Sequence, residues 1–431
     1  MQSRMTVVAL LGAVVLAACT SNVPPTSPAT PGPTASAARS PSGAPTILAT
    51  PTAALPSATP TPSPTDIGPP TLAIPDAAVH VWKDGGAAAS FGSRFFGWES
   101  TRRNTTTSIT TGDLATGKSL ALATLAKGHG VTEMAATTDR LIWVETWRDH
   151  PSPPSHSVPG CVDAGKPLRW RISAIGLASH AQTTLASGTN RRTAVDGECA
   201  DVNPPVVAAD GDRMAYTIEA PTPGKPAANR IVVRSLVDGT VIRRVQSQGL
   251  VRDLQLDGRA IAYRDLPAQH PPEAFVDPFD GTLMATTDDS MPPAEIDEHV
   301  GVSGLGGGRL AWVNTGAADG SMSTTVLGSD VVFRSLGFVA PDFVADGVEQ
   351  IAVRGDLVAW IVSGLDGDIG TSRLAFWRSP DPSTRYVAGF LQPDYVGLSG
   401  GWFVWDATLS DPGVKWPAGL YGLPLAALSA H

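Results

Sequence analysis

Clustered positive charge is the first thing this chain lacks. Of 431 residues, 31 are Lys or Arg against 40 Asp or Glu, a formal net charge of −9, and charged residues make up only 16%. Nucleic-acid binding needs grouped Lys and Arg for phosphate contacts, so a nucleic-acid partner is excluded. Long apolar runs are also missing. The one candidate, Val7 to Ala17, is too short to span a bilayer as a helix, and nothing after it approaches that length. No long stretch carries a 3.6-residue apolar period, which argues against a parallel α/β sheet. Cysteine is scarce, with only Cys19, Cys161 and Cys199.

Arg4 and the apolar run Val7 to Ala17 form the n- and h-regions of an export signal. The run ends in Leu16-Ala17-Ala18-Cys19, which resembles the lipobox of bacterial lipoproteins. The resemblance implies that residues 1–18 are a signal peptide and that Cys19 is acylated by diacylglycerol, with palmitate-type chains as the membrane anchor. Simple secretory cleavage after Ala18 is the alternative. The expected location is the extracytoplasmic face of a bacterial cell envelope, with the membrane as a partner through the N-terminal lipid. Stable anchoring takes more than one acyl chain, and lipoproteins of this kind carry two or three.

Residues 19–70 read as a disordered linker. From Thr20 to Pro70 there are 14 prolines and only Arg39 and Asp66 are charged, too little apolar surface to offset the entropy of ordering. Residues 71–431 form the folded domain. With Cys19 taken by lipid, Cys161 and Cys199 are left as a pair in an oxidising compartment, and a disulfide between them is expected. Two free buried thiols are the alternative.

A repeat organises the folded part. Seven times a polar turn leads into an apolar strand that ends on an aromatic residue: Trp98, Trp143, Tyr216, Tyr263, Trp312, Trp360 and Trp405. Their separations are 45, 73, 47, 49, 48 and 45 residues, and Asp-Gly turns with period-two alternation mark antiparallel hairpins. A unit in the mid-forties built from several short strands predicts an all-β fold, a seven-bladed β-propeller. Asp210-Gly211-Asp212-Arg213-Met214-Ala215-Tyr216 is similar to a strand of WD40-like propellers of the TolB type. That likeness implies the fold and no particular activity. The last unit is one strand short, because Gly419 to Leu423 supplies a third strand and only Leu425 to Ala430 follows. A ring must close to hide its edges, so Ala78 to Trp82 is expected to complete the last blade.

The chemistry-bearing strings are weaker. Gly112 to Ser119 matches the Gly-x4-Gly-Lys-Ser phosphate loop, but it falls at a hairpin turn where the following helix is missing. Glu273, Asp277, Asp280, Asp288, Asp289, Glu295, Asp297 and Glu298 lie near His270 and His299 with no intervening Lys or Arg. Such oxygens suit Ca²⁺, yet no calcium-loop or zinc spacing is present, and a solvated acidic face is the simpler account. Asp366 and Asp368 are too few for a cation. His129, His150, His156 and His180 are scattered, without a nucleophile elbow. No catalytic, cofactor or metal residue is therefore assigned. The function expected is a binding or scaffolding module for a protein or envelope glycan, with Trp147 to Gly160 as a long exposed connection. Two alternatives remain open: a glycan hydrolase or lyase using carboxylates in the propeller channel, and a structural accessory lipoprotein of a transport or cell-wall complex.

Overall fold

Runs such as Arg140–Trp147, with β-branched and aromatic residues between a polar turn and a polar end, favour extended backbone that pairs on both sides. Thirty strands and one helical turn result among the described residues of the computed structural model. It describes residues 71–72, 79–82, 87–101, 106–148, 167–190, 194–195, 198–199, 203–220, 228–266, 281–314, 322–326, 334–338, 348–363, 372–378, 385–387, 395–407 and 419–428. All belong to the compact unit Thr65–His431.

Two short strands lead, β1 (Thr71–Leu72) and β2 (His80–Trp82). The first sheet holds β3 (Ala89–Phe91), β4 (Arg94–Thr101), β5 (Thr106–Asp113) and β6 (Lys118–Thr124). The second holds β7 (Gly130–Ala136), β8 (Arg140–Trp147), β9 (Leu168–Gly176) and β10 (Gln182–Asn190). A two-stranded ribbon follows, β11 (Ala194–Val195) and β12 (Glu198–Cys199). The third sheet holds β13 (Val207–Asp210), β14 (Arg213–Ala220), β15 (Ala228–Ser235) and β16 (Val241–Gln246).

The next sheet is seven-stranded. It runs through β17 (Leu250–Asp257), β18 (Ala260–Leu266), β19 (Gly281–Thr286), β20 (Ala294–Gly306), β21 (Arg309–Asn314), β22 (Met322–Val326) and β23 (Arg334–Phe338). Then come β24 (Val348–Arg354), β25 (Leu357–Ser363), β26 (Ser372–Arg378) and β27 (Arg385–Val387), with β1 added parallel to β27. The last sheet holds β28 (Val396–Ser399), β29 (Trp402–Ala407) and β30 (Gly419–Pro424), before the helical turn α1 (Leu425–Leu428).

The inner strands β3, β7, β13, β17, β20, β24 and β28 contact one another in that order, and β28 returns to β3. Consecutive antiparallel sheets around a closed ring make this a β-propeller. The blade count differs from expectation: six sheets of blade size form, not seven. The fourth and fifth repeats share β20, which is 13 residues long. Val300 pairs with Gly281 on one side and Asn314 on the other, so one strand leaves one repeat and enters the next without a connecting loop. The corner is at His299, whose φ of 58° is rare for a residue with a side chain.

The ring closes as the strand shortage implied. β2 pairs antiparallel with β30, His80 opposite Gly422 and Trp82 opposite Leu420, so the N-terminal segment supplies the last sheet's fourth strand. Leu425–Leu428, the remaining C-terminal candidate, is helical.

One end of the ring is tightly tied. Asp210 Oδ2 accepts from Gly258 N at 2.7 Å and Asp257 Oδ2 from Gly308 N at 2.6 Å, while Arg213 Nη1 donates to Gly258 O at 3.0 Å and Arg309 Nε to Gly355 O at 2.5 Å. Each bond joins one repeat to the turn of the next. Gly258 and Gly355 hold φ of +58°, which glycine adopts without strain.

Candidate functional site

At the other end, the second strand of each repeat finishes and the inner strand begins. The chain between second and third strands there occupies positions such as 148–167, 267–280 and 408–418, far longer than the two-residue turns at Gly211-Asp212 or Gly258-Arg259. A polar side chain late in the second strand repeatedly holds the segment entering the inner strand. Thr217 Oγ1 accepts from Val206 N at 2.9 Å, Asp265 from Gln248 N and Gly249 N at 2.8 Å each, and Asp406 from Tyr395 N at 2.8 Å. These contacts fix where the inner strands start.

In the second sheet the same position is Glu145, fully buried. Its Oε1 lies 2.5 Å from His129 Nδ1, and its Oε2 accepts from Arg171 Nη2 at 2.6 Å and Nε at 3.1 Å. Trp147 covers the group: its ring stacks on His129 at 4.6 Å, and the Arg171 guanidinium carbon lies 5.8 Å from its centroid. Glu145 thus has both oxygens engaged and acts as a pairing centre.

Further charged side chains stand on the inner strands. Glu133 sits on β7 at a bulge, after the register shift between Val131 and Glu133. Arg252 and Asp253 sit on β17 at another bulge, and Asp253 adopts a φ of 47°. Arg252 Nη2 donates to Asn203 Oδ1 at 2.9 Å, and Arg264 Nε donates to Asp253 Oδ2 at 2.6 Å. Burial pushes the Glu133 carboxyl up to about 7; Arg252 opposes this rise and Asp253 adds to it. β13 stands between β7 and β17 in the ring.

Glu219, near the loop end of β14, is also pushed up to about 7, by burial alone. The folded chain keeps this proton between about pH 4.5 and 7, where the unfolded chain has lost it. The stability tied to it is therefore full below 4.5 and lost as pH rises through 7. Glu219→Gln is expected to raise the melting temperature at pH 8 and leave it unchanged at pH 4.5. Thermal melts at the two pH values check this, and equal shifts at both would contradict it.

The strings singled out in the sequence are dispersed. Gly112 to Ser119 runs from β5 through a turn into β6 with no helix. Asp113 Oδ1 accepts from Ala115 N at 2.9 Å and Ser93 Oγ at 2.7 Å, while a Cβ on Gly112 would lie 2.1 Å from the Phe95 ring. Gly112 is thus a seat for an aromatic ring. In the acidic segment, Asp288 Oδ1 accepts from Ser290 N at 2.9 Å, Asp289 pairs with Arg213 at 2.5 Å, and Asp297 accepts from Trp312 Nε1 at 2.7 Å and from Asn314. Among the described residues no three His, Cys, Asp or Glu converge as metal ligands would. Cys19, His150, His156, Cys161, His270, Glu273, Asp277, Asp280, Asp366 and Asp368 lie outside the described residues. The backbone of Cys199 ends β12, opposite Ala194.

Sequence reasoning missed Glu133, Arg252 and the Glu145 group. The available signal was a charge inside an apolar run, as in Leu141-Ile142-Trp143-Val144-Glu145. By strand order and closure, the chain is a β-propeller. No protein-family model matches it, and no curated protein does. Similar solved structures include the β-propeller domain of the trilobed protease from Pyrococcus furiosus, 8% identical over 76% of this chain and 89% of that one, with a TM-score of 0.46. The acylaminoacyl peptidase of Pyrococcus horikoshii is 10% identical over 79% of this chain, which spans 50% of the peptidase, with a TM-score of 0.46. An oligogalacturonate lyase in complex with manganese is 12% identical over 81% of this chain and 91% of that one, again with a TM-score of 0.46. These likenesses assign no activity.

Proposed function

We propose that the chain is an extracytoplasmic, lipid-anchored binding module that presents the loop end of its ring to a protein or envelope glycan. The observation behind this reading is the asymmetry of the ring: backbone-bonded short turns at one end, and the longer connections at the other. Loops held by a rigid scaffold carry recognition disproportionately. Cys19 supplies the anchor, 19–70 the reach, and a Cys161–Cys199 disulfide ties the chain between Trp147 and Val207.

Shortening 148–167 is expected to abolish capture of the partner from detergent-solubilised membranes, while Asp212→Asn at the opposite end leaves it intact. Loss in both, or in neither, would refute a loop-end binding surface. Cys19→Ser is expected to move the protein from the membrane fraction to the medium, or to block its processing. Retention on membranes after normal cleavage would refute the anchor.

Glu133 favours a second reading, hydrolysis or cleavage of a glycan in the channel. A carboxyl that burial pushes up to about 7 suits a general acid. Glu133→Gln should then abolish release of reducing ends from purified envelope glycan; absence of any release by the parent protein rejects this reading.

A further inference from the structure

Glu145 departs from the pattern of the other sheets. Thr217, Asp265 and Asp406 each accept a backbone N–H from the segment entering an inner strand, whereas Glu145 spends both oxygens on the side chains of His129 and Arg171. The segment entering β7 does not need that tie. Thr107 holds it from β5, accepting from Leu125 N and donating through Oγ1 to His129 O, each at 2.8 Å. Nor does a buried ion pair stabilise more than apolar packing of the same volume would. The effect of the arrangement is to orient two exposed polar edges. His129 Nδ1 faces the carboxylate, which turns Nε2 outward, and Arg171 binds through Nε and Nη2, which leaves Nη1 free. Both lie against one indole ring, that of Trp147, with the His129 ring at 4.6 Å and the guanidinium carbon at 5.8 Å, so the two edges are neighbours. Nε2, Nη1 and the Trp147 indole N–H have no hydrogen-bond partner among the described residues. The His129 and Arg171 side chains are 19% and 37% exposed, although the Glu145 that joins them is sealed. Trp147, at the loop end of β8, is also partly exposed.

We propose that His129, Arg171 and Trp147 form a binding site for a neutral sugar at the loop end of the ring. This rests on the binding-module reading and names the ligand class. A neutral imidazole that gives its Nδ1–H to Glu145 offers a lone pair at Nε2, while Nη1 and the indole N–H offer donors. An acceptor set beside donors suits hydroxyls. One sugar hydroxyl donates to Nε2 as its neighbour accepts from Nη1, and the exposed part of the indole ring adds apolar surface for sugar C–H groups. An anionic group has no hydrogen for Nε2. Glu145 also cancels the Arg171 charge that would draw it in.

Calorimetry on the full-length protein at pH 8, with maltotriose, triacetylchitotriose and trigalacturonic acid, tests the site. At least one neutral trisaccharide should bind in the millimolar range or tighter, and at least about tenfold more tightly than the acid. Which of the two binds separates a plain hexose from an N-acetylhexosamine. His129→Asn can still donate to Glu145 from the place of Nδ1 but has no Nε2, and Arg171→Lys keeps the charge pair but has no Nη1. Each should weaken that binding about tenfold or more while the chain still melts cooperatively. In the parent protein the free Nε2 should react with diethyl pyrocarbonate, and saturating trisaccharide should slow the modification of His129 read by mass spectrometry.

No binding of either neutral sugar, an acid that binds as tightly, or full binding by either folded variant overturns the proposal. If neither variant folds, protection of His129 decides, and modification unslowed by saturating sugar overturns it. Should both neutral sugars fail while shortening 148–167 still abolishes partner capture, this site is wrong and the binding-module reading stands.

Discussion

Deleting residues 71–84 is expected to lower the melting temperature by roughly 5–10 °C, while deleting 20–70 leaves it almost unchanged. The longer deletion removes a Pro-, Thr- and Ser-rich stretch with one Arg and one Asp. The shorter one removes β2, whose three residues pair with Leu420, Tyr421 and Gly422. Trp82 meets Phe95 edge-on at 5.4 Å, in a cluster with Val404 and Leu420, and Val79 packs on the cluster around Trp405. Losing these two apolar side chains costs on the order of 3–5 kcal/mol. The deletion also uncovers the edge of β30, a template for strand addition, so a rise in aggregation should accompany the drop. Differential scanning calorimetry and light scattering of the two truncations check both effects. Equal melting temperatures would mean that β2 does not fasten the ring.

That closure was legible in the sequence because it followed from a shortage: a ring of hairpins needs a partner for its last strand, and only the segment before the first repeat was left. The repeat itself was legible because aromatic residues recur at a fixed distance from a polar turn. Separate blades could not be counted the same way. Between Ala294 and Gly306 nothing breaks the strand, and the change of partner at Val300 depends on His299 turning the backbone, which no composition signal marks. The site was less legible still. Glu145 stands out as a charge in an apolar run, but its partners come from a loop 16 residues away and a strand 26 residues away. Glu133 and Arg252 belong to different repeats, and only the ring order sets β7 and β17 on either side of β13.

The largest single-residue effects are expected at the aromatic anchors, and they should divide them. Trp143→Ala and Trp360→Ala are each expected to cost about 3–5 kcal/mol, read from urea unfolding at pH 7, whereas Trp98→Ala should stay within about 1 kcal/mol. The division comes from strand register. Counting from the residue that closes each inner hairpin, Trp143 is the fourth residue from Arg140, and Trp360 the fourth from Leu357. Tyr216, Tyr263, Trp312 and Trp405 hold the same position, which packs against the preceding repeat. In the first repeat the count begins at Arg94, opposite Phe91, so the fourth residue is Gly97 and Trp98 is the fifth. A one-residue offset turns a side chain to the other face of a strand. Trp98 is accordingly 36% exposed while Trp143 is fully buried, and Phe95, two residues before Gly97 on the same face, packs against Leu114, Val404 and Leu420 instead. Phe95→Ala should therefore show the large loss that Trp98→Ala lacks. A Trp98→Ala cost equal to that of Trp143→Ala would place the first repeat in the same register as the other six, and the assignment of Phe95 as its anchor would fall.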